Sequence, residues 1–320
     1  MIKPEHYPVV GENLLASIKE VLGDGATDDI IQAWAEAYQF LADILIGREK
    51  EIYQSTATQD GGWEGFKEFT VHKKVPESDV ITSFYLKPND GKPLPNYLPG
   101  QYITVRVPTQ DGSTTMRNYS LSCAPNGEYF RISVKKETSE QNPDGYVSTY
   151  LHGTVKEEDV LEVGPPCGEF FLNPNDKHER PLVLLAAGVG VTPIMSILEA
   201  ALTHTPEREI ICIHGCLNPQ VQAFKETLDN LAAEHDNLKV HHRYSEGAGT
   251  ADTSADNVSV GFIDANFVES LMTDKHADYY FCGPKPFMVN IYQDLLKWGI
   301  PASQVHFEFF GPREELTSAA

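Results

Sequence analysis

From about residue 180 onward, short apolar β-type runs alternate with amphipathic helical stretches. The runs are PLVLLAAG (181–188), EIICIHG (209–215), LKVHHRY (238–244), DYYFCG (278–283) and QVHFEFF (304–310). This alternation predicts a doubly wound α/β domain with a parallel sheet over residues 180–320. Such sheets bind ligands at the carboxyl ends of their strands, so the loops after Ala187, His214 and Cys282 are the candidate site.

The preceding zone, residues 66–172, contains six strand-like segments, several of them separated by Pro- or Gly-containing turns. Short strands at this spacing, with no helix of comparable length, predict a small antiparallel β-barrel. Residues 1–53 instead repeat apolar side chains at helical spacing, which predicts two helices that need a partner surface. Residues 54–65 are polar and glycine-rich, and predict a linker. The expected chain is therefore multi-domain.

Charge and apolar patterning limit the function classes. A formal net charge of −21 disfavours binding to nucleic acid and to anionic lipid surfaces. The longest apolar run, residues 182–195, is too short to span a membrane. The five scattered cysteines form no CxxC pair, so we expect buried thiols and no metal site. With no signal or transit peptide recognised, a cytoplasmic location is expected.

One glycine-rich segment has the context of a phosphate loop, because GVGVTP follows a predicted strand and begins a predicted helix. Its two glycines allow close backbone approach to a pyrophosphate, and Thr192 is suited to cap the helix. The free N–H groups of that helix end would then face the anion. A glycine turn is also common in α/β folds without this role. The segment comprises Gly188, Val189, Gly190, Val191, Thr192 and Pro193.

Three motifs in the predicted barrel carry side chains suited to a cofactor. In RNYS (117–120), Arg117 can fork onto a diphosphate, and Tyr119 and Ser120 alternate faces on a strand. LPGQY (98–102) places Tyr102 just after a turn, and GYVSTYL (145–151) offers Gly145 and Ser148 to a phosphate. Taken singly, each motif is weak, and RNYS alone is more typical of a packed strand.

Two further motifs follow predicted strands of the α/β domain. In FCGPKPF (281–287), Cys282 ends a strand at the ligand edge and Gly283-Pro284 turns the chain. In HFEFFGP (306–312), Glu308 and two aromatic residues end the last strand. In isolation, packing is the usual role of both.

In order and spacing, these motifs resemble the ferredoxin-NADP reductase superfamily: RxYS, then GxGxxP, then CGP, then ExFGP. The resemblance covers residues 66–320 and implies FAD in the barrel and NAD(P)H in the α/β domain. The implied reaction is hydride transfer from the nicotinamide to FAD and then electron transfer to an acceptor. Ser120, Cys282 and Glu308 are the implied catalytic residues. The implied FAD site comprises Tyr102, Arg117, Asn118, Tyr119, Ser120, Gly145, Ser148, Phe309, Phe310, Gly311 and Pro312. The implied NAD(P) site comprises residues 188–193, Cys282, Gly283 and Pro284.

The preferred nicotinamide cofactor depends on the charge near its adenosine ribose, where NADPH usually requires basic groups. HGCLNPQ (214–220), after the second strand of the α/β domain, contains no Lys or Arg, which favours NADH. Arg243 in HHRYSE is the residue that could reverse this preference, so NADPH remains open.

The helical front end resembles the last two globin helices of the flavohemoglobin family and their linker to the reductase. The segments are KPEHYPVVGENLL (3–15), AWAEAYQFLADILIGREKEIY (33–53) and GGWEGF (61–66). Members of this family are nitric oxide dioxygenases, in which haem b binds O2 and the reductase supplies electrons. The resemblance implies a charge relay of Tyr7 and Glu49, with Glu51 as the alternative.

The family's proximal histidine precedes the KPExY motif, a position that would lie before Met1 of this sequence. His6 occupies the variable position of the motif and is no substitute. Haem is therefore not expected to bind here, and nitric oxide dioxygenation is not expected of this chain alone. The expected activity is the NADH-to-FAD half, with a haem protein or a missing globin half as partner.

Alternatives remain open. The short N-terminus could be natural or could reflect a mis-assigned start. A stand-alone flavin reductase could dock a separate redox partner through residues 1–53. A non-catalytic, partner-binding remnant would expose the same apolar helix faces but would bind no FAD.

Overall fold

The computed structural model describes residues 3–138, 143–173, 180–246, 255–272 and 274–311. The chain divides into two compact units, Met1–Lys67 and Glu68–Ala320. No helix in the described ranges is both long and apolar enough to cross a bilayer.

The first unit consists of two helices, α1 (Tyr7–Leu22) and α2 (Asp28–Thr58). Thr27 caps α2, because its hydroxyl oxygen accepts the N–H of Ile30 at 3.4 Å. The helices pack at Gly11, where an added Cβ would lie 2.6 Å from the Tyr38 ring. The Tyr38 hydroxyl also donates to the Tyr7 carbonyl oxygen at 2.6 Å. This contact holds the start of α1 against the middle of α2.

Helix α2 continues to Thr58, beyond the boundary predicted near residue 53 and into the predicted linker 54–65. Its last turns contain polar side chains that hydrogen-bond inside the helix. The hydroxyls of Ser55 and Thr56 each donate to the carbonyl of Ile52 at 2.9 Å, and Thr58 donates to Gln54 at 2.8 Å. The polar residues 54–58 therefore form the last turns of a helix, and not part of the predicted linker.

The second unit begins with an antiparallel sheet and one short helix. The elements are β1 (Lys67–Pro76), β2 (Ile81–Pro88), β3 (Tyr102–Pro108), β4 (Thr114–Ser120), β5 (Phe130–Lys135), α3 (Tyr146–Gly153) and β6 (Val160–Val163). The strand order is β4-β3-β6-β1-β2-β5. The antiparallel strands match the prediction, whereas α3 was not predicted.

The predicted barrel is not closed. In the described ranges no ladder joins the outer strands β4 and β5, and a single bridge links Leu121 with Ile132. Strand β4 is mostly exposed, and only its last residue, Ser120, is buried. A strand with so little buried surface gains little from pairing on its free side, so the sheet stays open there.

The remainder of the second unit is a parallel sheet with helices on both faces, as predicted. It contains β7 (Leu182–Ala187), α4 (Val191–His204), β8 (Ile210–Cys216), α5 (Lys225–Glu234), β9 (Leu238–Tyr244), β10 (Val258–Val260), α6 (Ala265–Ser270), β11 (Asp278–Cys282), α7 (Lys285–Lys297) and β12 (Val305–Glu308). The strand order is β10-β9-β8-β7-β11-β12. The order reverses beside β7, so a ligand crevice is expected at its carboxyl end.

An ion pair and several hydrogen bonds join the two sheets of this unit. Arg131 of β5 contacts Glu199 of α4 at 2.9 Å, with the Arg131 side chain 10% exposed. Ser196 of α4 donates to the Cys123 carbonyl at 2.6 Å and accepts from the Gly100 N–H at 3.3 Å. These contacts fix the position of α4, and hence of the loop that precedes it, against the antiparallel sheet.

Candidate functional site

The predicted phosphate loop forms a tight turn at the switch point, with a 3₁₀ turn at Gly188–Gly190 after β7. Gly188 has φ +55°, a left-handed conformation that favours glycine. Gly190 approaches the end of β11 so closely that an added Cβ would lie 2.1 Å from the Cys282 carbonyl oxygen. The loop therefore requires both glycines.

Thr192 does not cap α4 as predicted. Its hydroxyl donates to the Val189 carbonyl at 3.0 Å, and no side chain caps this helix. The first N–H groups of α4 are therefore not used by a capping side chain, which leaves them suited to an anion. Val191 and Pro193 are buried and do not line either cleft described below.

A cleft of about 920 Å³ opens at the carboxyl end of the parallel sheet. Among its lining residues are Gly188, Val189, Gly190, Gly215, Cys216, Leu217, Arg243, Gly283, Pro284, Phe309, Phe310 and Gly311. Cys282, predicted beside the nicotinamide, is fully buried and is not among the lining residues, although its backbone contacts the loop at Gly190. Burial raises the pKa of its thiol well above the ordinary value.

A second cleft of about 520 Å³ adjoins the antiparallel sheet. It brings together residues as far apart in the sequence as Tyr102 and Gly311. Of the predicted site residues, it is lined by Tyr102, Arg117, Asn118, Tyr119, Ser120, Gly145, Ser148, Val189, Thr192, Glu308, Phe309, Phe310 and Gly311. Pro312, also predicted here, lies outside the described residues.

The strand register brings the RNYS and LPGQY motifs together. Tyr102 of β3 lies opposite Ser120 of β4, and the Thr104 hydroxyl donates to the Asn118 side-chain oxygen at 2.9 Å. Arg117 is exposed, with one guanidinium N–H donated to its neighbour's carbonyl, that of Met116, at 2.7 Å. Its other donors are therefore available to an anionic ligand.

Gly145 and Ser148 organise the start of α3. Gly145 is the residue preceding its first turn, and the Ser148 hydroxyl donates to the Gly145 carbonyl at 2.9 Å. The N–H of Glu137 donates to the same hydroxyl at 3.2 Å. Ser148 therefore ties α3 to the segment after β5, and both ends of this contact line the second cleft.

Glu308 lies at the end of β12, level with Cys282 of the neighbouring strand β11. Its Oε2 is buried and has no hydrogen-bond partner in the described part of the chain. Burial raises the pKa of this carboxyl to about 7. A carboxyl that is unpartnered, faces a cleft and titrates near neutral pH is a candidate for proton exchange or for hydrogen bonding to a ligand.

Substitution of Glu308 with Gln tests this assignment in cofactor-free protein. A pKa raised from about 4.3 to about 7 makes the native state bind the proton more tightly. The contribution of this proton to the free energy of unfolding is fully present below about pH 4.3. It is lost as the pH rises through about 7, because the buried carboxyl must then ionise. We therefore expect Glu308→Gln to gain about 2 kcal/mol of unfolding free energy relative to wild type between pH 5 and pH 8.

The measurement is urea denaturation at both pH values, with Glu128→Gln as the control at an exposed position before β5. A Glu308→Gln difference that is the same at pH 5 and pH 8 would contradict the raised pKa.

Two lining residues, Lys135 and Glu137, were not identified from the sequence. They line both clefts, and the Lys135 ammonium lies 3.1 Å from both carboxylate oxygens of Glu137. They belong to no motif and follow a buried strand, so only their position at the end of β5 could have indicated them.

The first unit places the two predicted relay residues together. Desolvation and a hydrogen bond with Glu49 raise the pKa of the Tyr7 hydroxyl. Glu49 Oε2 is buried and unpartnered among the described residues. Glu51, the alternative, instead pairs with Arg48 at 3.0 Å on the exposed surface. The geometry favours Glu49 as the partner of Tyr7.

Two domain families match the second unit. The oxidoreductase FAD-binding domain matches residues 68–172, and the oxidoreductase NAD-binding domain matches residues 184–293. The ranges correspond to the antiparallel and the parallel sheet.

Whole-chain relatives and solved structures agree with this division. A flavohemoprotein of Halalkalibacterium halodurans is 46% identical over 99% of this chain and 77% of its own length. One from Oceanobacillus iheyensis is 46% identical over 98% and 76%. The flavohem-like FAD/NAD-binding domain of a Vibrio cholerae nitric oxide dioxygenase superposes with TM-score 0.69 and 34% identity, over 79% of this chain and 100% of that one.

A flavohemoglobin from Malassezia yamatoensis, solved with bound FAD and heme, superposes with TM-score 0.81 and 27% identity, over 97% of this chain and 76% of that one. The chain thus spans about three quarters of the length of these relatives.

Proposed function

Because this chain belongs to the flavohemoprotein family, we propose that its two clefts form the electron-transfer site of a nitric oxide dioxygenase reductase module. The chain is an NAD(P)H-dependent flavin oxidoreductase with an FAD-binding and an NAD-binding domain. The observation that carries the proposal is that the clefts share a wall. Val189, Lys135 and Glu137 line both, as do residues 309–311.

FAD fits the smaller cleft by the chemistry of its lining. Arg117 supplies charge-assisted donors to the diphosphate, and Tyr119 offers a half-buried aromatic surface. The unpartnered Glu308 oxygen gives the cleft a polar atom that a bound ring can satisfy. When bound, FAD accepts a hydride from the reduced nicotinamide and releases electrons singly to an acceptor.

The larger cleft suits the nicotinamide cofactor. The loop Gly188–Gly190 lines this cleft at the start of α4, a position where backbone N–H groups can bind a pyrophosphate. Gly283 and Pro284 line the same cleft, and the Gly283 backbone packs against this loop at Gly190, next to the buried Cys282. The contribution of these residues is orientation, because they hold the two rings at the shared wall and exclude water between them.

The direct test is a titration of the FAD-loaded protein with NADH under anaerobic conditions. We expect bleaching of the flavin absorbance and, with ferricyanide added, sustained NADH oxidation. FAD that binds stoichiometrically but is not reduced by either NADH or NADPH would contradict the shared-wall proposal.

NADH is the proposed preferred cofactor. The residues after β8 that line the larger cleft, 215–217, are uncharged. Arg243 lines this cleft, but its guanidinium is held by three contacts: Nε donates to the Phe262 carbonyl at 2.6 Å, Nη1 donates to Ser259 at 3.1 Å, and the group stacks over Phe267 at 3.9 Å. This geometry supports a structural role for Arg243 instead of a 2′-phosphate contact.

We expect kcat/KM for NADH to exceed that for NADPH by about tenfold or more, because the cleft-lining residues after β8, Gly215, Cys216 and Leu217, offer no positive charge to a 2′-phosphate. In Arg243→Met, kcat/KM for NADH and kcat/KM for NADPH should change by the same factor. Steady-state rates with both cofactors check this, each serving as control for the other. A selective loss of NADPH turnover in the variant would instead identify Arg243 as the phosphate ligand.

Helices α1 and α2 are proposed to be the globin-type helices that adjoin a haem domain. They bury only Gly11 and Ala42, while Phe40 is 71% and Val21 84% exposed. Such faces suit a haem globin segment as partner, with Tyr7 and Glu49 as the relay toward its iron-binding histidine. The alternative is a stand-alone reductase that docks another redox protein on these faces.

Haem itself finds no fit in the first unit, so no step is assigned to it. His6 is the single histidine of residues 1–67, it is exposed, and its Nδ1 accepts the N–H of Lys3 at 3.2 Å. Addition of haem should therefore give no stoichiometric Soret band, and such a band would overturn this assignment.

Four buried free thiols and one half-buried thiol suit the proposed cytoplasmic location.

A further inference from the structure

A buried chain of polar side chains runs behind the phosphate loop, from β8 to β9 and α5. His214 and His242 are fully buried, and the side chain of Gln222 bridges them. The Gln222 amide nitrogen lies 3.3 Å from His214 Nδ1 and 2.7 Å from His242 Nδ1. The Tyr244 hydroxyl donates to the Gln222 amide oxygen. His214, His242 and Tyr244 lie in segments that bear on the cofactor preference, but no sequence motif assigns a role to their side chains or to Gln222.

The two ends of this series of hydrogen-bonded side chains, His214 and His242, have further hydrogen-bond partners. His214 Nε2 lies 3.1 Å from the Gly188 carbonyl oxygen, and His242 Nε2 lies 2.8 Å from an Asp229 carboxylate oxygen. Asp229 in turn contacts Lys225 at 2.6 Å on α5. This series of hydrogen-bonded side chains therefore connects the first residue of the phosphate loop to the surface of α5.

One proton arrangement satisfies every contact. Because the Gln222 oxygen accepts from Tyr244, its two amide hydrogens point to the two histidines, and both Nδ1 atoms are acceptors. Each histidine then carries its proton on Nε2, which His214 donates to Gly188 and His242 donates to Asp229. Both imidazoles are neutral in this arrangement. Burial lowers the pKa of both histidines, that of His214 to about 4, which keeps them neutral at physiological pH.

Gly188 is held on its N–H side as well. Cys216 follows His214 on the same face of β8, and its thiol lies 3.2 Å from His214 Nε2. Burial raises the pKa of this thiol to about 12, and a backbone hydrogen bond from Gly188 acts in the opposite direction. Two side chains of β8 thus contact the backbone of Gly188, in addition to the 3₁₀-turn hydrogen bond from the Val191 N–H to the Gly188 carbonyl.

We propose that His214 is a positioning residue for the nicotinamide cofactor: its Nε2–H holds the Gly188 carbonyl, and Gln222 fixes the tautomer that makes this donation. The loop amides are thereby presented to the pyrophosphate before the cofactor arrives. The inference rests on the proposed role of this loop, but the order of the loop can be measured without any cofactor.

The first test is amide hydrogen exchange of the full chain without NADH. His214→Met removes the donor at similar length, whereas His214→Gln places an amide N–H within reach of the same carbonyl. We expect residues 188–192 to exchange about tenfold faster in His214→Met and close to the wild-type rate in His214→Gln. Equal exchange in all three proteins would overturn the proposal.

Cys212→Ala is the matched control, since Cys212 lies two residues earlier on the same face of β8 and is fully buried. It loses packing without touching the loop. Faster exchange of residues 188–192 in this variant as well would mean that loop order follows general stability, which would also contradict a positioning role for His214.

The second test uses FAD-loaded protein and separates binding from chemistry. His214→Met should raise KM for NADH about fivefold, the effect of one lost hydrogen bond, with kcat within twofold and with FAD content unchanged. His214→Gln should restore KM. If exchange rises in His214→Met but KM does not, the loop is positioned by His214 and the proposed function of the loop is wrong. If neither changes, the positioning role is wrong.

A third measurement needs no substitution, and so it holds even if a variant fails to fold. In ¹⁵N-labelled wild-type protein, the imidazole shifts of His214 and His242 should report neutral rings protonated on Nε2. A proton on Nδ1 of His214, or a charged ring at pH 7, would overturn the assignment.

Discussion

Gly190→Ala is expected to lower kcat/KM for NADH by about 100-fold or more, because the phosphate loop cannot keep its place with any side chain at this position. An added Cβ would lie 2.1 Å from the Cys282 carbonyl oxygen and 2.8 Å from the Gly283 nitrogen, both of them rigid backbone atoms. The loop must therefore move away from β11. A displacement of about 1 Å at a ligand-positioning group can cost about 100-fold in rate.

The measurement is NADH-dependent ferricyanide reduction by FAD-loaded protein. Gly153→Ala is the control, since Gly153 ends α3 with no atom within 4 Å of its added Cβ, and it should retain the wild-type rate. Near-wild-type turnover in Gly190→Ala would show that the loop can shift without loss of the cofactor, against the role assigned to it here.

Arg117→Gln is expected to weaken FAD binding by about 100-fold. The guanidinium lies at the smaller cleft with donors to spare, and two charge-assisted hydrogen bonds to a diphosphate account for a loss of this size. Glutamine keeps a polar, extended side chain but removes the charge and the fork of donors. The apoprotein should remain folded, because Arg117 is exposed and supports no buried contact.

Flavin fluorescence titration of the apoprotein measures this affinity. Arg106→Gln is the matched control, on the neighbouring strand β3 with its guanidinium 2.9 Å from Glu162. It removes an arginine of the same sheet without reaching the smaller cleft, so its FAD affinity should stay within about threefold of wild type. Equal losses in both variants would mean that total charge, and not contact with the diphosphate, governs binding.

The structure could be predicted best from the sequence where local geometry requires one residue type. GVGVTP could be assigned to a strand–loop–helix turn because glycine, a buried strand and a helix start occur in immediate succession. The structure was predicted less well where a residue's contacts depend on several elements at once. Thr192 has the sequence position of a cap but bonds to Val189, since the residue preceding α4 is Gly190.

The errors have a common cause. The polar residues 54–58 suggested a linker, yet their hydroxyls bond inside α2. The antiparallel strands suggested a closed barrel, yet the exposed strand β4 leaves its free edge open. In both cases composition was informative about the segment, and the partner that each polar group or strand edge finds in space decided the result.

By itself, the sequence determined the class of most elements and the order of the two sheets, because hydrophobic period and turn chemistry are local properties, whereas α3 was missed and the proposed cofactor-site residues came from the family resemblance. Only the tertiary structure decided that the two clefts share one wall, that Glu308 Oε2 has no hydrogen-bond partner among the described residues, and that His214 Nε2 lies 3.1 Å from the Gly188 carbonyl oxygen. These are relations between residues far apart in the chain, and they depend on strand register and packing distance, which no local pattern encodes.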